Sequence, residues 1–254
     1  MPPRPFILAE TNWKSVKETG YEVAILPWGA TEPHNYHLPY GTDNYESGAI
    51  AERAAEIAWK KGAKVIVLPT VPFGVNTGQL DLTLTVNMNP STQLALLTDI
   101  ARALALQGFR KLVILNGHGG NDFRQMIREL HPQIDLFICT INWWSIVDGK
   151  EYFVEPGDHA GEMETSVMLS IAPELVRPLS EAGAGKARKF RVPGLRDGWV
   201  WAPRRWTQVT DDTGTGNPLA STVENGEKYL EAVTTKIATF LVDLAKADTG
   251  NLYE

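Results

Sequence analysis

Four short stretches, Tyr21 to Trp28 (YEVAILPW), Lys64 to Pro69 (KVIVLP), Lys111 to Asn116 (KLVILN) and Asp135 to Asn142 (DLFICTIN), are nearly continuous in Val, Ile and Leu. A strand with one wet face alternates apolar and polar residues, whereas one that is apolar throughout is covered on both faces, as in a parallel sheet. Between these runs, Tyr45 to Lys61 and Ser91 to Gln107 repeat apolar residues at helical spacing, and Asn121 to Leu130 reads as a third helix. Gly62 and Gly108 stand where helix C-caps belong. A β-α-β-α succession with right-handed crossovers stacks as helix, sheet, helix. The expected fold is therefore α/β, a three-layer α-β-α sandwich with a mainly parallel central sheet, in a single domain spanning residues 1–254 without linker or repeat. Gly183 to Gly216 combines clustered glycines and arginines with Trp199, Trp201 and Trp206 and has no clear period, so it reads as a long excursion over an edge or a cleft. Asn225 to Ala247 closes the chain as a helix.

With 254 residues, 43% of them apolar, the chain can fill a sizeable core. Acidic residues outnumber basic ones 30 to 24 and the densest basic patch, Lys186 to Arg191, is short, which argues against a nucleic-acid partner. Neither an export signal nor a membrane-length apolar run is visible, so no membrane partner is expected and the location is expected to be cytoplasmic. The single cysteine, Cys139, lies in the apolar run LFICTI and reads as an inert thiol rather than a nucleophile.

The polar residues sort into clusters at strand ends. Residues 28–44, WGATEPHNYHLPYGTDN, begin where the first strand finishes, and 116–121, NGHGGN, sit in the equivalent place after another strand. Open α/β sheets keep their ligands at such ends. Glu32 and His34 are two apart, so on extended backbone both side chains leave the same face. Asp43 follows a turn made plausible by Pro39 and Gly41, just ahead of a helix, and His118 joins from the second cluster. Two imidazoles and two carboxylates are the ligand set of Zn, Mn or Fe, and a shared carboxylate holds two ions about 3.5 to 4 Å apart. A third cluster, 158-DHAGEMETS-166, adds His159, Glu162 and Glu164 around a helix start. Four of the five histidines fall in these three clusters.

Each element also has a plainer reading. Asp43 serves equally as an N-cap, Glu32 and His37 as surface residues, the glycines around His118 as turn formers, and Glu162 and Glu164 as partners of a helix dipole. Trp143 and Trp144 suit packing as well as a substrate face, and 72-PFGVNTGQLDLTLTV-86 suits a hairpin as well as a substrate loop carrying Asn76 and Gln79. Joint occurrence at strand ends favours a metal site over these separate readings.

TEPHNYHLPYGTD, NGHGGN, HAGEMETS and 213-TGTGNPLASTVENGEKYLE-231 together resemble, in order along nearly the whole chain, the creatininase family of metal-dependent amidohydrolases. The resemblance implies one α/β domain, two divalent ions (Zn, Mn or Fe) and a homo-oligomer, commonly a hexamer. It further implies that Glu32 binds one ion and His34 the other, that Asp43 bridges them and that His118 completes the first. Creatinine-hydrolysing members resemble NGHYEN at the second motif, where this chain has Gly119 and Gly120. The missing carboxylate ligand is expected from Glu164, with Glu162 as the fallback, and creatinine becomes a doubtful substrate. The expected reaction is hydrolysis of a C–N bond in a small amide, cyclic amide or formamide by a hydroxide bridging the ions. His159 is the expected general acid because an unperturbed imidazole titrates near working pH, and Glu162 is expected to shuttle its proton. His37, Asn76, Trp143 and Trp144 are expected around the substrate. Relatives acting on formylamino-pyrimidines, a peptide precursor or oxidised cyclitols, and a non-catalytic binder of metal or ligand, stand as alternatives.

Overall fold

The structure, a computed structural model, describes residues 3–253. Residues 1, 2 and 254 of the expected domain lie outside the described residues. The four apolar runs form strands β1 (Val23–Trp28), β2 (Val65–Val67), β3 (Lys111–Asn116) and β4 (Phe137–Asn142), paired in the order β2-β1-β3-β4 and parallel throughout. The helices are α1 (Trp13–Glu18), α2 (Thr42–Lys60), α3 (Pro90–Leu106), α4 (Phe123–Leu130), α5 (Glu162–Ile171), the four-residue α6 (Pro193–Arg196) and α7 (Trp206–Val209), and α8 (Val223–Lys246).

Alternate residues of each strand enter different cores, which is why the runs are nearly continuous in apolar residues. Val23, Ile25, Val65, Val67, Val113 and Leu115 pack under α2, α5 and α8, against Ile50, Ala54, Val167, Tyr229 and Val233. Ala24, Leu26, Ile66, Leu112 and Ile114 face the other way, against Leu97 and Ala101 of α3 and Phe123 and Met126 of α4. These are the helix, sheet and helix layers expected from the sequence.

Gly62 and Gly108 take φ values of 95° and 91° after α2 and α3, the left-handed cap conformation that glycine adopts without strain. The strand at 64–69 shortens to three residues. The segment 72–86 forms isolated bridges, Thr31 to Val86 and Gly74 to Asn87 among them, in place of a hairpin. One backbone bond, from the Val86 amide to the Thr31 carbonyl, ties it to the loop after β1. Cys139 packs against the core and burial pushes its thiol up to about 12, consistent with an inert role. No described helix is long and apolar enough to cross a membrane.

Candidate metal centre

β1 connects through α2 to β2 on one side of the sheet, and β3 connects through α4 to β4 on the other. Between β1 and β3 the order reverses, and such a switch point opens a crevice at the strand C-termini. Trp28 of β1 pairs with Asn116 of β3, and Asn116 with Asn142 of β4, so the strand ends form one level floor. The loop after β1 carries Glu32 and His34, the first turn of α2 carries Asp43, the loop after β3 carries His118, and the turn into α5 carries His159 and Glu164. A Cβ on Gly117 would lie 2.7 Å from the Asp43 carbonyl oxygen, so only glycine lets the β3 loop meet the start of α2 this closely.

Three groups of side chains each bring their ligand atoms within 4.8 Å of one another: Glu32, Asp43 and His118; His34, Asp43 and Glu164; and Glu32, His34 and His159. His118 Nδ1 lies 2.8 Å from Glu32 Oε1 and 3.0 Å from Asp43 Oδ2, and His34 Nε2 lies 2.9 Å from Asp43 Oδ1. The opposite ring nitrogens are held by carbonyls: His34 Nδ1 by Glu32 at 3.1 Å, His118 Nε2 by Val75 at 3.0 Å, and His159 Nε2 by Pro33 at 2.9 Å. Each such N–H donates outward and turns the other nitrogen toward the carboxylates, the second-layer arrangement that orients imidazole ligands of metals.

The donor set fits a divalent ion. Asp43 Oδ2 and His34 Nε2 are buried and close to a partner, yet neither makes a hydrogen bond of acceptable angle, as expected of lone pairs aimed at a common point. Electrostatics agree. Burial opposes charge on Asp43 and Glu32, but His34 beside the first and His118 beside the second outweigh it and hold both carboxyls below their ordinary range. Burial likewise opposes charge on His34, but Asp43 holds it at about 9, and Glu32 and Asp43 hold His118 well above its ordinary value. Protons on these imidazoles compensate the carboxylates where cations would otherwise do so.

Glu164, pushed up to about 7 mainly by burial, also accepts a hydrogen bond from the Ala160 amide. A Cβ at Gly120 would lie 2.2 Å from the Val75 carbonyl oxygen and 2.4 Å from His118 Nε2. The loop thus leaves no room for a side chain at position 120, and the third carboxylate near the pair comes from α5.

Several expected roles are corrected. Asp43 is the second residue of α2, and Gly41 is its cap, so the Asp43 carboxylate serves His34 and His118 instead of the helix end. Glu162 is two residues from Glu164, about 200° around the helix. Its Oε2 accepts from the Glu155 amide at 2.9 Å and it lies outside all three ligand groups, so the geometry sets it apart from the ligand cluster. Trp143, 1% exposed, packs edge-on to Tyr229 in the core, while Trp144 faces the cavity. His37 is buried behind His34 and bonds Thr165 Oγ1 at 2.8 Å, away from the cavity. His159 does not titrate near neutrality: burial, then the charge of His34, pushes it down to about 4, so its imidazole is neutral.

The cavity over the cluster measures about 620 Å³. Asn76, Gln79, Trp144, Trp201, Arg204 and Trp206 contribute to its wall, so the excursion at 183–216 does cover the cleft. Gln79 Nε2 donates to Glu32 Oε2, and Asn76 Nδ2 donates to the Val86 carbonyl at 3.1 Å. Glu46, fully buried one helical turn after Asp43, has no hydrogen-bond partner for either carboxylate oxygen among the described residues. Burial, with Glu164 and Asp43 nearby, holds it well above its ordinary range. The Asp43-x-x-Glu46 spacing was the available sign, but it matches any exposed helix face.

A parallel three-layer sandwich with a buried histidine and carboxylate cluster at its switch point defines an α/β protein with a candidate metal centre at its strand ends. The family described as creatinine amidohydrolase matches residues 9–241, and the chain belongs to this creatininase family of hydrolases. The structure of a Bacteroides fragilis protein described as a creatinine amidohydrolase is 45% identical, with a TM-score of 0.92 over 98% of this chain and 99% of that one. A creatininase solved in a Mn form shares the fold at 23% identity and a TM-score of 0.81, over 96% of this chain and all of that one; another creatininase structure is of a Zn–Zn type. By sequence, a Pseudomonas putida creatinine amidohydrolase is 28% identical over 66% of this chain and 73% of its own length. A Mycobacterium ulcerans mycofactocin precursor peptide peptidase is 29% identical over 86% and 84%.

Proposed function

We propose that the chain is a binuclear metal-dependent amidohydrolase that cleaves a C–N bond in a small amide, cyclic amide or formamide. The observation that carries this reading is the sharing of Asp43 between two adjacent ligand groups, one with Glu32 and His118, the other with His34 and Glu164. Zn or Mn, the metals of the related creatininases, suits this imidazole and carboxylate set. When bound, a pair of such ions supplies Lewis acidity toward a carbonyl oxygen and acidifies water.

The protein's own groups do the rest. His159 Nε2–H is committed to Pro33, which leaves Nδ1, 3.9 Å from Glu32 Oε1, as a neutral base facing the cavity. It takes a proton from the attacking water as the C–O bond forms, then returns that proton to the nitrogen as the C–N bond breaks. A neutral imidazole acts as the acid only after it has first acted as the base. Gln79 orients the Glu32 carboxylate, and Trp144 and Asn76 contribute to the wall against which a flat substrate lies. A cavity of about 620 Å³ is far larger than creatinine needs, and the packed Gly120 turn removes a carboxylate of creatinine-hydrolysing relatives, so a larger amide suits the site better.

The same volume supports a second reading, a short peptide as substrate, in line with the peptidase named among the relatives. A panel of formamides, lactams and short peptides, assayed on zinc- and manganese-loaded protein, separates the two. His159→Ala is expected to keep about two ions per chain and to lose about 10²- to 10⁴-fold in turnover. Turnover unchanged by that substitution, or a native protein that takes up neither metal, overturns the reading.

A further inference from the structure

The His159 ring makes one hydrogen bond, to the Pro33 carbonyl, and a single bond leaves the ring plane free to tilt about its axis. The plane is set by oblique contact with two neighbouring rings. His34 lies 4.1 Å away between ring centroids and Trp206 4.7 Å away, the latter at 60°. The Arg204 guanidinium lies over the Trp206 ring, 4.8 Å from its centroid, and pairs with Asp158, the residue before His159. Two residues of the 183–216 excursion therefore grip two consecutive residues of the turn into α5, one by charge and one by a tilted ring contact.

The gripping segment is itself anchored. The Trp206 amide donates to the Gly78 carbonyl at 2.9 Å, and Thr207 Oγ1 bonds the Asp81 carboxylate at 2.5 Å. A Cβ on Gly78 would lie 2.1 Å from the Arg204 carbonyl oxygen, so the two loops meet backbone to backbone with no slack. Trp206 is buried, unlike Trp201 five residues earlier, which is 84% exposed. An apolar cavity wall alone would not require the ion pair behind the indole.

We propose that Trp206 is a positioning residue for His159, clamped by the Arg204–Asp158 pair and the Gly78 contact so that Nδ1 stays aimed past Glu32 into the cavity. The inference rests on the reading of His159 as the proton carrier, and it extends the active centre into a segment whose sequence shows no periodic signal. Arg204 acts through Trp206 and the 158–159 backbone, and neither residue exchanges a proton with substrate.

The test uses zinc-loaded full-length protein with ¹⁵N-labelled histidine, the His159 resonances being those lost in His159→Gln. Wild type is expected to show a single tautomer, with Nε2–H exchanging slowly. In Trp206→Leu that exchange accelerates by roughly tenfold and kcat on the best amide of the panel falls by a similar factor, with KM and zinc content unchanged. Trp206→Phe, which restores an aromatic face, brings both back toward wild type. Gly78→Ala, which leaves the indole intact but displaces the Arg204 backbone, reproduces the Leu pattern. Wild-type His159 signals in both Trp206→Leu and Gly78→Ala, or no rescue by Phe, overturn the proposal. If Trp206→Leu does not fold, Gly78→Ala alone decides, since unchanged His159 signals there overturn it. A wild-type protein that hydrolyses no amide defeats the proposed function, while the exchange measurement still decides the positioning role.

Discussion

The two ligand groups share Asp43 but are built from different parts of the fold. Glu32, Asp43 and His118 come from the ends of β1 and β3 and the first turn of α2, all buried, with His118 within 3.0 Å of both carboxylates. His34, Asp43 and Glu164 depend on α5, whose main helix partners are α2 and α8. Glu164 is half-buried and already engaged by the Ala160 amide. Ala160 holds a φ of 50°, a left-handed conformation that costs a non-glycine residue about 1 kcal/mol, to bring that amide round. The first group is thus part of the sheet's floor, and the second is completed by a docked helix. One ion is expected to be bound more firmly than the other.

The largest effect that bears on this contrast is removal of the shared ligand. Asp43→Ala is expected to abolish binding of both ions and all turnover, with metal content read by inductively coupled plasma mass spectrometry; loss of one ion only would show that the groups do not share Asp43. Glu164→Gln is expected to bring the content from about two ions to about one, and brief chelation of wild type to release one ion well before the other. Equal loss at both sites would erase the distinction between them.

Proton competition gives a smaller, graded effect. In the metal-free protein His34 titrates at about 9 and His118 is also raised, each pushed down by burial but lifted further by the carboxylates, so both carry protons at pH 7. Binding must release those protons, so affinity for zinc is expected to rise with pH up to about 9, with proton release measurable by calorimetry in buffers of different ionisation enthalpy. The same sign governs the stability of the chelated protein. The folded value for His34 exceeds the unfolded one, so its charge stabilises the fold in full below roughly pH 6.5 and that contribution is lost as pH rises through about 9. A melting temperature of the chelated form that climbs over this range would contradict the assignment. The smallest effect is expected at Glu162→Gln, whose amide oxygen can still accept from the Glu155 amide. Metal content and turnover should stay near wild type, whereas a loss matching that of Glu164→Gln would return Glu162 to the centre.

Residues that act through short-range order were legible. The apolar runs, the helical periods and the capping glycines predict the layers because each depends only on neighbours in sequence. Glu32, His34, Asp43 and His118 were legible as a cluster because strand ends in a parallel sheet all open on one face. The roles of Glu162 and Glu164 were not separable, since both sit in one helical turn and only the docking of α5 decides which carboxylate faces Asp43. Trp143 and Trp144 divided in the same way, adjacent in sequence and pointing to core and cavity.

Sequence by itself determined the α/β architecture, the family and the donor types at the crevice, because hydrophobic period and ligand chemistry are properties of residue type and order. Tertiary structure alone decided that Trp206 packs obliquely against His159, that Val75 leaves Gly120 no side chain, and that burial keeps His159 neutral. Each of these depends on what lies across a contact between segments more than forty residues apart, and neither the low dielectric nor the exclusion of a Cβ is written in the residues that feel it.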